Sequence, residues 1–268
     1  MLRTPFAVLI ALLSLTVPAG FAQQTASSSL LSSSEPGGYA NGVTPVSTGR
    51  SGALSGLGIG VQVGLLGAGV QVATPLTSHL NLRAGSNFLN YNNDGSTSGV
   101  NYTANLRFRS VETEVDWFPG GRSFHISPGA LVYNGNEVTG NARIPAGGSF
   151  SINGTNYISD PSDPVSGSGS VHFPKAAPKL TVGWGSLMPR GEHRVSVPFD
   201  IGFAYMGDPK TVLNFSGSVC DSAMQGCESI ASDPDAQANV AAEQKKLQKD
   251  ASYARFFPLV STGFAFRF

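Results

Sequence analysis

Apolar and polar residues alternate along much of the chain after Leu57. The pattern is clearest in the segment 195–205, whose apolar positions are Val195, Val197, Phe199, Ile201, Phe203 and Tyr205. Successive side chains of a β-strand point to opposite faces, so this pattern predicts a strand with one apolar face. The last segment, 254–268, shows the same alternation. Two-faced strands are therefore the predicted building blocks of the chain.

Eight such strands are predicted, at 57–64, 69–75, 80–91, 102–118, 124–138, 179–188, 195–205 and 254–268. After a short first hairpin, their connections alternate between short ones, at 77–79, 119–123 and 189–193, and longer ones, at 92–100, 139–178 and 207–252. Tight periplasmic turns and long outer loops are typical of transmembrane barrels. We therefore predict an all-β fold for residues 55–268, an eight-stranded antiparallel transmembrane β-barrel. A secreted β-sandwich is the alternative, because its strands would alternate in the same way.

The strand predicted at 102–118 contains one irregularity. Its apolar residues change from even to odd positions between Arg109 and Val111. One extra residue in a strand would return the apolar set to one face. The sequence therefore predicts a β-bulge near Ser110.

The first 54 residues differ from the rest. An apolar run at 6–17 follows Arg3 and precedes the small residues Gly20 and Ala22, which predicts a secretory signal peptide over residues 1–22. The run is shorter than the roughly 20 apolar residues that a membrane-spanning helix needs. Residues 23–54 are rich in Ser and Gly without apolar periodicity, and we expect a disordered periplasmic lead-in.

The charge balance and the cysteine content of the chain limit the kinds of binding site that it could contain. Charged residues make up 13% of the chain, and removing Arg3 with the signal peptide leaves 16 basic against 17 acidic residues. This balance gives no sign of nucleic-acid binding. Cys220 and Cys227 are expected to form a disulfide in an exported protein, with two free thiols as the alternative. Neither cysteine has a histidine nearby, so we predict no metal site, and no cofactor is indicated.

Charged residues on the faces opposite the apolar ones would point into a narrow lumen. The predicted set is Arg83, Arg107, Arg109, Glu112, Glu114, Asp116, Lys179, Arg194, Asp200, Arg255 and Arg267. Eight strands enclose only enough room for side chains. Unpaired charges would be costly there, so we expect these groups to form a structural network.

Both ends of the predicted barrel resemble those of small bacterial outer-membrane β-barrels of the OmpA, OmpX and OmpW kind. The resemblance covers the Gly-rich opening at 58–64 and the closing residues Phe264, Phe266 and Phe268. It implies an outer-membrane location with both termini periplasmic, contact with outer-membrane lipid, and an assembly signal in the three phenylalanines that the barrel-assembly machinery reads. No motif selects a subfamily.

The resemblance implies a location more firmly than an activity. We expect a structural or surface-interaction role without catalysis, with a possible extracellular partner contacting the loops at 139–178 and 207–252. A narrow passive channel for small or hydrophobic solutes, as in the OmpW kind, is the alternative. The segment from Asp235 to Lys249 is rich in Ala, Gln, Glu and Lys and favours a solvated loop helix.

A lipid A-modifying enzyme is a remote alternative. His125, Ser127 and Glu137 resemble the His-x-Ser pair and glutamate of outer-membrane lipid A deacylases. Alternation places His125 and Ser127 inward, however, and the preceding short turn places them at the periplasmic end. Lipid A lies in the opposite, outer leaflet, so the sequence does not predict an enzyme.

Overall fold

The structure, a computed structural model, describes residues 56–97, 100–189, 193–220 and 226–268. The predicted signal peptide and lead-in lie outside these residues. The described strands are β1 Gly58–Gly64, β2 Gly67–Pro75, β3 Leu80–Thr97, β4 Val100–Trp117, β5 Phe124–Asn134, β6 Glu137–Arg143, β7 Ser149–Ile152, β8 Thr155–Ser159, β9 Ser166–His172, β10 Ala177–Trp184, β11 Val195–Ser196, β12 Phe199–Tyr205, β13 Lys210–Ser216, β14 Ser218–Cys220, β15 Glu228–Ser229 and β16 Phe256–Arg267. Helix α1 is Pro234–Ala251, and a 3₁₀ turn, Ser252–Arg255, follows it.

Eight of these strands form a closed antiparallel barrel, in the spatial order β1, β2, β3, β4, β5, β10, β12 and β16. Strand β16 pairs back with β1, with Phe264 opposite Val61, and completes the circle. The predicted eight-stranded antiparallel barrel is therefore confirmed.

The antiparallel order places the connections at two ends. The turn end holds the connections 76–79, 118–123 and 185–198, and β1 starts and β16 finishes there. The loop end holds the short turn at 65–66, the tip between β3 and β4, and the two long connections 135–176 and 206–255.

The outer wall of the barrel is apolar and exposed. Its exposed large apolar side chains include Ile59, Val61, Val63, Val70, Val72, Leu82, Phe88, Val111, Trp117, Phe124, Val132, Leu180, Trp184, Phe199, Ile201, Phe203, Val260, Phe264 and Phe266. We call this surface the apolar band. Near the turn end, aromatic rings stack across strands, with Phe124 and Trp184 at 5.5 Å between centroids. An outward apolar band with aromatic edges is the surface that a lipid bilayer requires of a barrel.

The predicted bulge is present nearby but lies in the neighbouring strand. Pairing between β4 and β5 shifts at Val111 and Glu112, where Tyr133 and Leu131 are their partners and Val132 is the additional residue. Strand β4 itself keeps one face inward along its length. Strand β4 needs no bulge of its own, because Leu106 and Phe108, in the half near the loop end, face the barrel interior.

The long connections, predicted as outer loops with one helix, form a folded unit of several strands and that helix. Strands β3 and β4 continue through the predicted loop at 92–100, and β6, β9 and β13 extend the sheet sideways from β4. A second sheet, in the order β15, β14, β8 and β7, lies beside it. Asn-Gly is a sequence signal for a tight hairpin turn, and it predicts a small hairpin at Asn153 and Gly154. That hairpin is present between β7 and β8, with positive φ at both residues.

Helix α1 completes what we call the loop-end domain, formed by residues 135–176 and 206–255 with the tips of β3 and β4. Asp233 caps the helix by accepting hydrogen bonds from the N–H groups of residues 235 and 236. The domain has its own core, consisting of Val100, Ile144, Ile152, Val165, Val219, Ile230, Ala236 and Val240. Gln248 accepts hydrogen bonds from the backbone and hydroxyl of Thr211, and so covers part of the free edge of β13. Among the described residues, no helix is long and apolar enough to cross a membrane.

Candidate functional site

Arg83 is the centre of a polar network inside the barrel. It points inward from β3 because inward and outward positions alternate along the strand. Its Nε lies 3.1 Å from Glu114 Oε1, its Nη2 lies 2.9 Å from Asp116 Oδ1, and its Nη1 lies 3.0 Å from Asp200 Oδ2. All four side chains are buried. One guanidinium therefore links carboxylates from two separate barrel strands, β4 and β12.

Lys179 forms the second ionic centre. It reaches inward from β10, and its Nζ lies 2.7 Å from Glu112 Oε2 and 3.1 Å from Glu114 Oε2. Glu114 thus contacts both interior cations, although neither contact has hydrogen-bond geometry. The pairing is what a buried charge requires, because an unpaired one would lose its hydration without replacement.

Three amides extend the network toward β1 and β2. Gln62 donates hydrogen bonds from its Nε2 to Asn87 at 2.6 Å and to Glu112 at 2.9 Å. Gln71 donates from its Nε2 to the side-chain oxygen Oε1 of Gln62 at 2.7 Å. Since these strands carry no inward charge, amide side chains connect them to the ionic centre.

The histidine and serine of the enzyme alternative belong to the same network. His125 Nε2 lies 2.8 Å from Asp200 Oδ1, and the Ser127 hydroxyl donates to Asp116 Oδ1 at 2.7 Å. Both side chains are buried. Glu137 is elsewhere, at the start of β6 in the loop-end domain. The structure therefore does not bring the three residues of the suggested deacylase site together.

An apolar lid closes the interior at the loop end. At this end the N–H of Leu65, in the turn between β1 and β2, donates to the carbonyl of Val260 at 3.1 Å. Phe108 and Phe257 meet edge to face at 5.9 Å between centroids. The lid is the cluster of Leu66, Leu106, Phe108, Leu131, Val138, Val171, Ala177, Ala204, Met206, Ala251, Phe257 and Leu259.

A smaller apolar base closes the turn end. It consists of Ala73, Leu187, Met188 and Ala265. Arg267 donates from its Nη1 to the carbonyl of Pro189 at 2.6 Å, and so fixes the segment that carries the base. Gly58 is required beneath it, because a Cβ there would lie 2.2 Å from the carbonyl oxygen of Leu187.

A small cavity lies between the lid and the base. It is found beside Gln62, Glu112, Lys179 and Asp200 and has a volume of about 30 Å³. That volume holds about one or two water molecules. The buried side chains of the network therefore occupy most of the space around it.

Five members of the predicted lumen set lie outside this network. Arg107 pairs with Glu137 at 3.0 Å, and 54% of its side chain is exposed. Arg109, Arg194 and Arg255 are also exposed. Arg267 is half-buried at the turn end. At the loop end the inward positions are occupied by the lid, so the arginines of β4 point to the solvated side, where their charges keep their hydration.

Sequence reasoning missed the amides, His125 as a network member, and both apolar closures. Gln62 and Gln71 could have been found, because each is a lone polar residue between two outward valines. The lid carried no such signal, because apolar residues were expected only on the lipid side.

The remaining predicted residues are the closing phenylalanines and the two cysteines. Phe264, Phe266 and Phe268 are exposed on the outer side of the closing strand. Cys220 and Cys227 form a disulfide in the loop-end domain. Their sulfur atoms approach Asp160, whose pKa is lowered by hydrogen bonds from Ser162. Disulfide sulfurs are not thiolates, so this group lacks the ligands that a metal site would need.

The fold and the interior define a class, a closed eight-stranded antiparallel barrel with a folded domain at its loop end. Solved outer-membrane barrels share this fold. The structure of CarO from Acinetobacter baumannii is 23% identical, with a TM-score of 0.52 over 79% of this chain and 97% of that one. CarO2 from the same organism is 18% identical, with a TM-score of 0.52 over 81% of this chain and 100% of that one. No protein-family profile and no curated protein matches the sequence.

Proposed function

We propose that the protein is an outer-membrane barrel with a closed interior, whose role is to hold the loop-end domain at the cell surface for structural or adhesive contacts. The observation that carries this proposal is the filled interior, in which a polar network lies between an apolar lid and an apolar base. A barrel filled in this way has no path for a solute, so its useful surface is the domain that it displays.

The apolar band and the similarity to the CarO barrels support the membrane location. The partners that follow are outer-membrane lipid around the band and the barrel-assembly machinery, which would read Phe264, Phe266 and Phe268 during insertion. An extracellular partner would contact the domain formed by 139–178 and 207–252. The loop end faces outward in this proposal, and the termini face the periplasm.

A narrow channel is the second candidate. The observation that favours it is the apolar mouth, since Leu66, Phe257 and Leu259 would line the entrance of a route for hydrophobic solutes. These side chains pack against one another above the ionic network. Transport would therefore require both layers to rearrange, which ranks this candidate below the closed barrel.

Surface display can be tested with two matched epitope insertions. One is placed after Gly147 at the loop end, and the other after Gly120 at the turn end, both at positions with open space around them. On intact cells, an antibody should bind only the first epitope, and both proteins should show the heat-dependent electrophoretic shift of a folded barrel. Binding to the second epitope alone would reverse the orientation and contradict the proposal.

A further inference from the structure

The outer wall of β3 and β4 changes character partway along its length. These strands have 18 residues each, whereas a strand crosses a bilayer in about 9–11 residues. On the side of the turn end, Leu82 and Phe88 on β3 and Val111 on β4 belong to the apolar band. On the side of the loop end, the same faces carry Asn90 and Arg107, and polar residues continue from there toward the loop end. Since alternate residues share a face, this is one continuous wall.

The first polar row above the band is cationic. Strand pairing places Arg107 beside Glu137, Glu137 beside His172, and His172 beside Lys210. Arg109 lies two residues below Arg107, opposite Phe88 at the edge of the band. Basic side chains therefore follow the boundary between the apolar and polar surfaces.

This row carries excess positive charge. Arg107 is paired with Glu137, but Arg109 and Lys210 form no ion pair with any described residue. A cation at the edge of a bilayer is well placed to bind headgroup phosphates, which accept charged hydrogen bonds from Arg and Lys.

The rows above are rich in neutral hydrogen-bonding groups. One row begins at the carboxylate of Asp94 on β3 and continues across four more strands through the neutral side chains of Thr103, Asn141, Ser168 and Asn214. These rows line a cleft of about 870 Å³ on the outer face of the sheet. Amide and hydroxyl side chains both donate and accept hydrogen bonds, as sugar hydroxyls do. The opposite face of the sheet is buried within the loop-end domain, so this face is the accessible one.

We infer that this wall binds the headgroup of a phosphorylated glycolipid of the outer leaflet, with phosphate on Arg109 and Lys210 and sugar hydroxyls in the cleft above. From the turn end to the loop end, the wall presents the apolar band, then the basic row, then the cleft. Such a lipid presents its acyl chains, phosphates and saccharide in the same order. The inference rests on the proposed outer-membrane location with the loop end outward.

The test uses the refolded full barrel in detergent micelles, with rough-type lipopolysaccharide as the probe and phosphatidylglycerol as the comparison lipid. Native mass spectrometry gives the apparent affinity for each. Arg109→Gln with Lys210→Gln should weaken lipopolysaccharide binding by at least about tenfold, because two charged hydrogen-bond donors are lost. The matched control, Lys245→Gln with Lys249→Gln on the exposed side of α1, removes the same charge and should stay within about twofold of the wild type.

A second variant tests the saccharide contacts. Asn141→Ala with Ser168→Ala should weaken binding of lipopolysaccharide and leave binding of phosphatidylglycerol unchanged. Equal affinity of the wild type for the two lipids would overturn the assignment to a glycolipid. Equal loss in the α1 control would also overturn it, because the effect would then be one of net charge.

Each sample is first checked for the heat-dependent shift, so that a binding failure is separate from a folding failure. If the folded barrel does not bind lipopolysaccharide, the headgroup inference is wrong. The proposed surface display would be unaffected, since the epitope experiment tests it independently.

Discussion

Arg83 shows at the scale of one residue how the barrel stays closed. Its guanidinium contacts Glu114, Asp116 and Asp200, which come from two strands, and all are buried. The described interior holds four carboxylates, those three and Glu112, against the two permanent cations Arg83 and Lys179. Removing a cation would leave buried negative charges without compensation.

We expect Arg83→Met to lower the free energy of unfolding by about 3–5 kcal/mol, because breaking a buried ion pair leaves its partners uncompensated. The measurement is urea unfolding of the barrel in lipid vesicles, followed by tryptophan fluorescence. Arg109→Met is the matched control, since this arginine is exposed on β4, and it should change stability by less than about 0.5 kcal/mol. Equal effects of the two substitutions would show that the interior network does not stabilise the barrel.

At the scale of the element, the two faces of each barrel strand have different surroundings, because one points outward and the other points into the barrel. The outward face of β1 carries Ile59, Val61 and Val63, whereas its inward face carries Gln62 between glycines. The outward face of β3 is mostly apolar from Leu80 to Phe88, with Ser86 as the exception, and polar from Asn90 to the loop end. One strand can therefore cross the lipid and continue into the loop-end domain without a break.

Val61→Arg should destabilise the barrel by about 2–4 kcal/mol, the cost of a charge on the lipid face near the middle of the bilayer. Asn92→Arg places the same side chain on the outer wall of β3 above the band, and it should cost less than about 0.5 kcal/mol. Both values come from urea titrations in vesicles. A similar cost at both sites would mean that the band does not end near Phe88.

Helix α1 can be weakened without affecting the barrel. Asp233→Ala removes the N-cap, and we expect a loss of about 1 kcal/mol of local stability. Hydrogen exchange of the α1 amides should become faster, while the amides of β12 keep their rates. Faster exchange in both would mean that the loop-end domain and the barrel unfold as one unit.

Much of the barrel could be predicted from the sequence because period-two alternation separates the two faces of each strand. The same rule failed in β4, where Leu106 and Phe108 were read as outward because they are apolar, although they form the lid. Alternation shows that two faces differ, but not which of two apolar environments a face contacts. Arg107 and Arg109 were misplaced for the same reason.

The loop-end domain shows a second limit. Residues of β6 and β9 are mostly small and polar, and they pair through their backbones over long sequence distances. Short strands of Gly and Ser carry little local signal. Only the hairpin at Asn153 and Gly154 and the helix near Asp235 had turn or helix propensities strong enough to be predicted.

The whole molecule is a closed barrel that joins an apolar wall to a folded domain. Lid, ionic network and base follow one another along the interior, and the cavity of about 30 Å³ beside the network is too small for a solute larger than water. The loop-end domain, in contrast, has its own core and a polar outer face with a large cleft. In the proposed orientation, this domain is the surface that the barrel displays.

Ion conductance across a planar lipid bilayer is the most direct test of the closed barrel. Protein that shows the heat-dependent shift is added to the bilayer, with a pore-forming barrel at the same protein-to-lipid ratio as the positive control. The account predicts no stepwise conductance from the folded wild type. Stable, discrete conductance steps from this protein would contradict the closed interior and would make the narrow channel the better description.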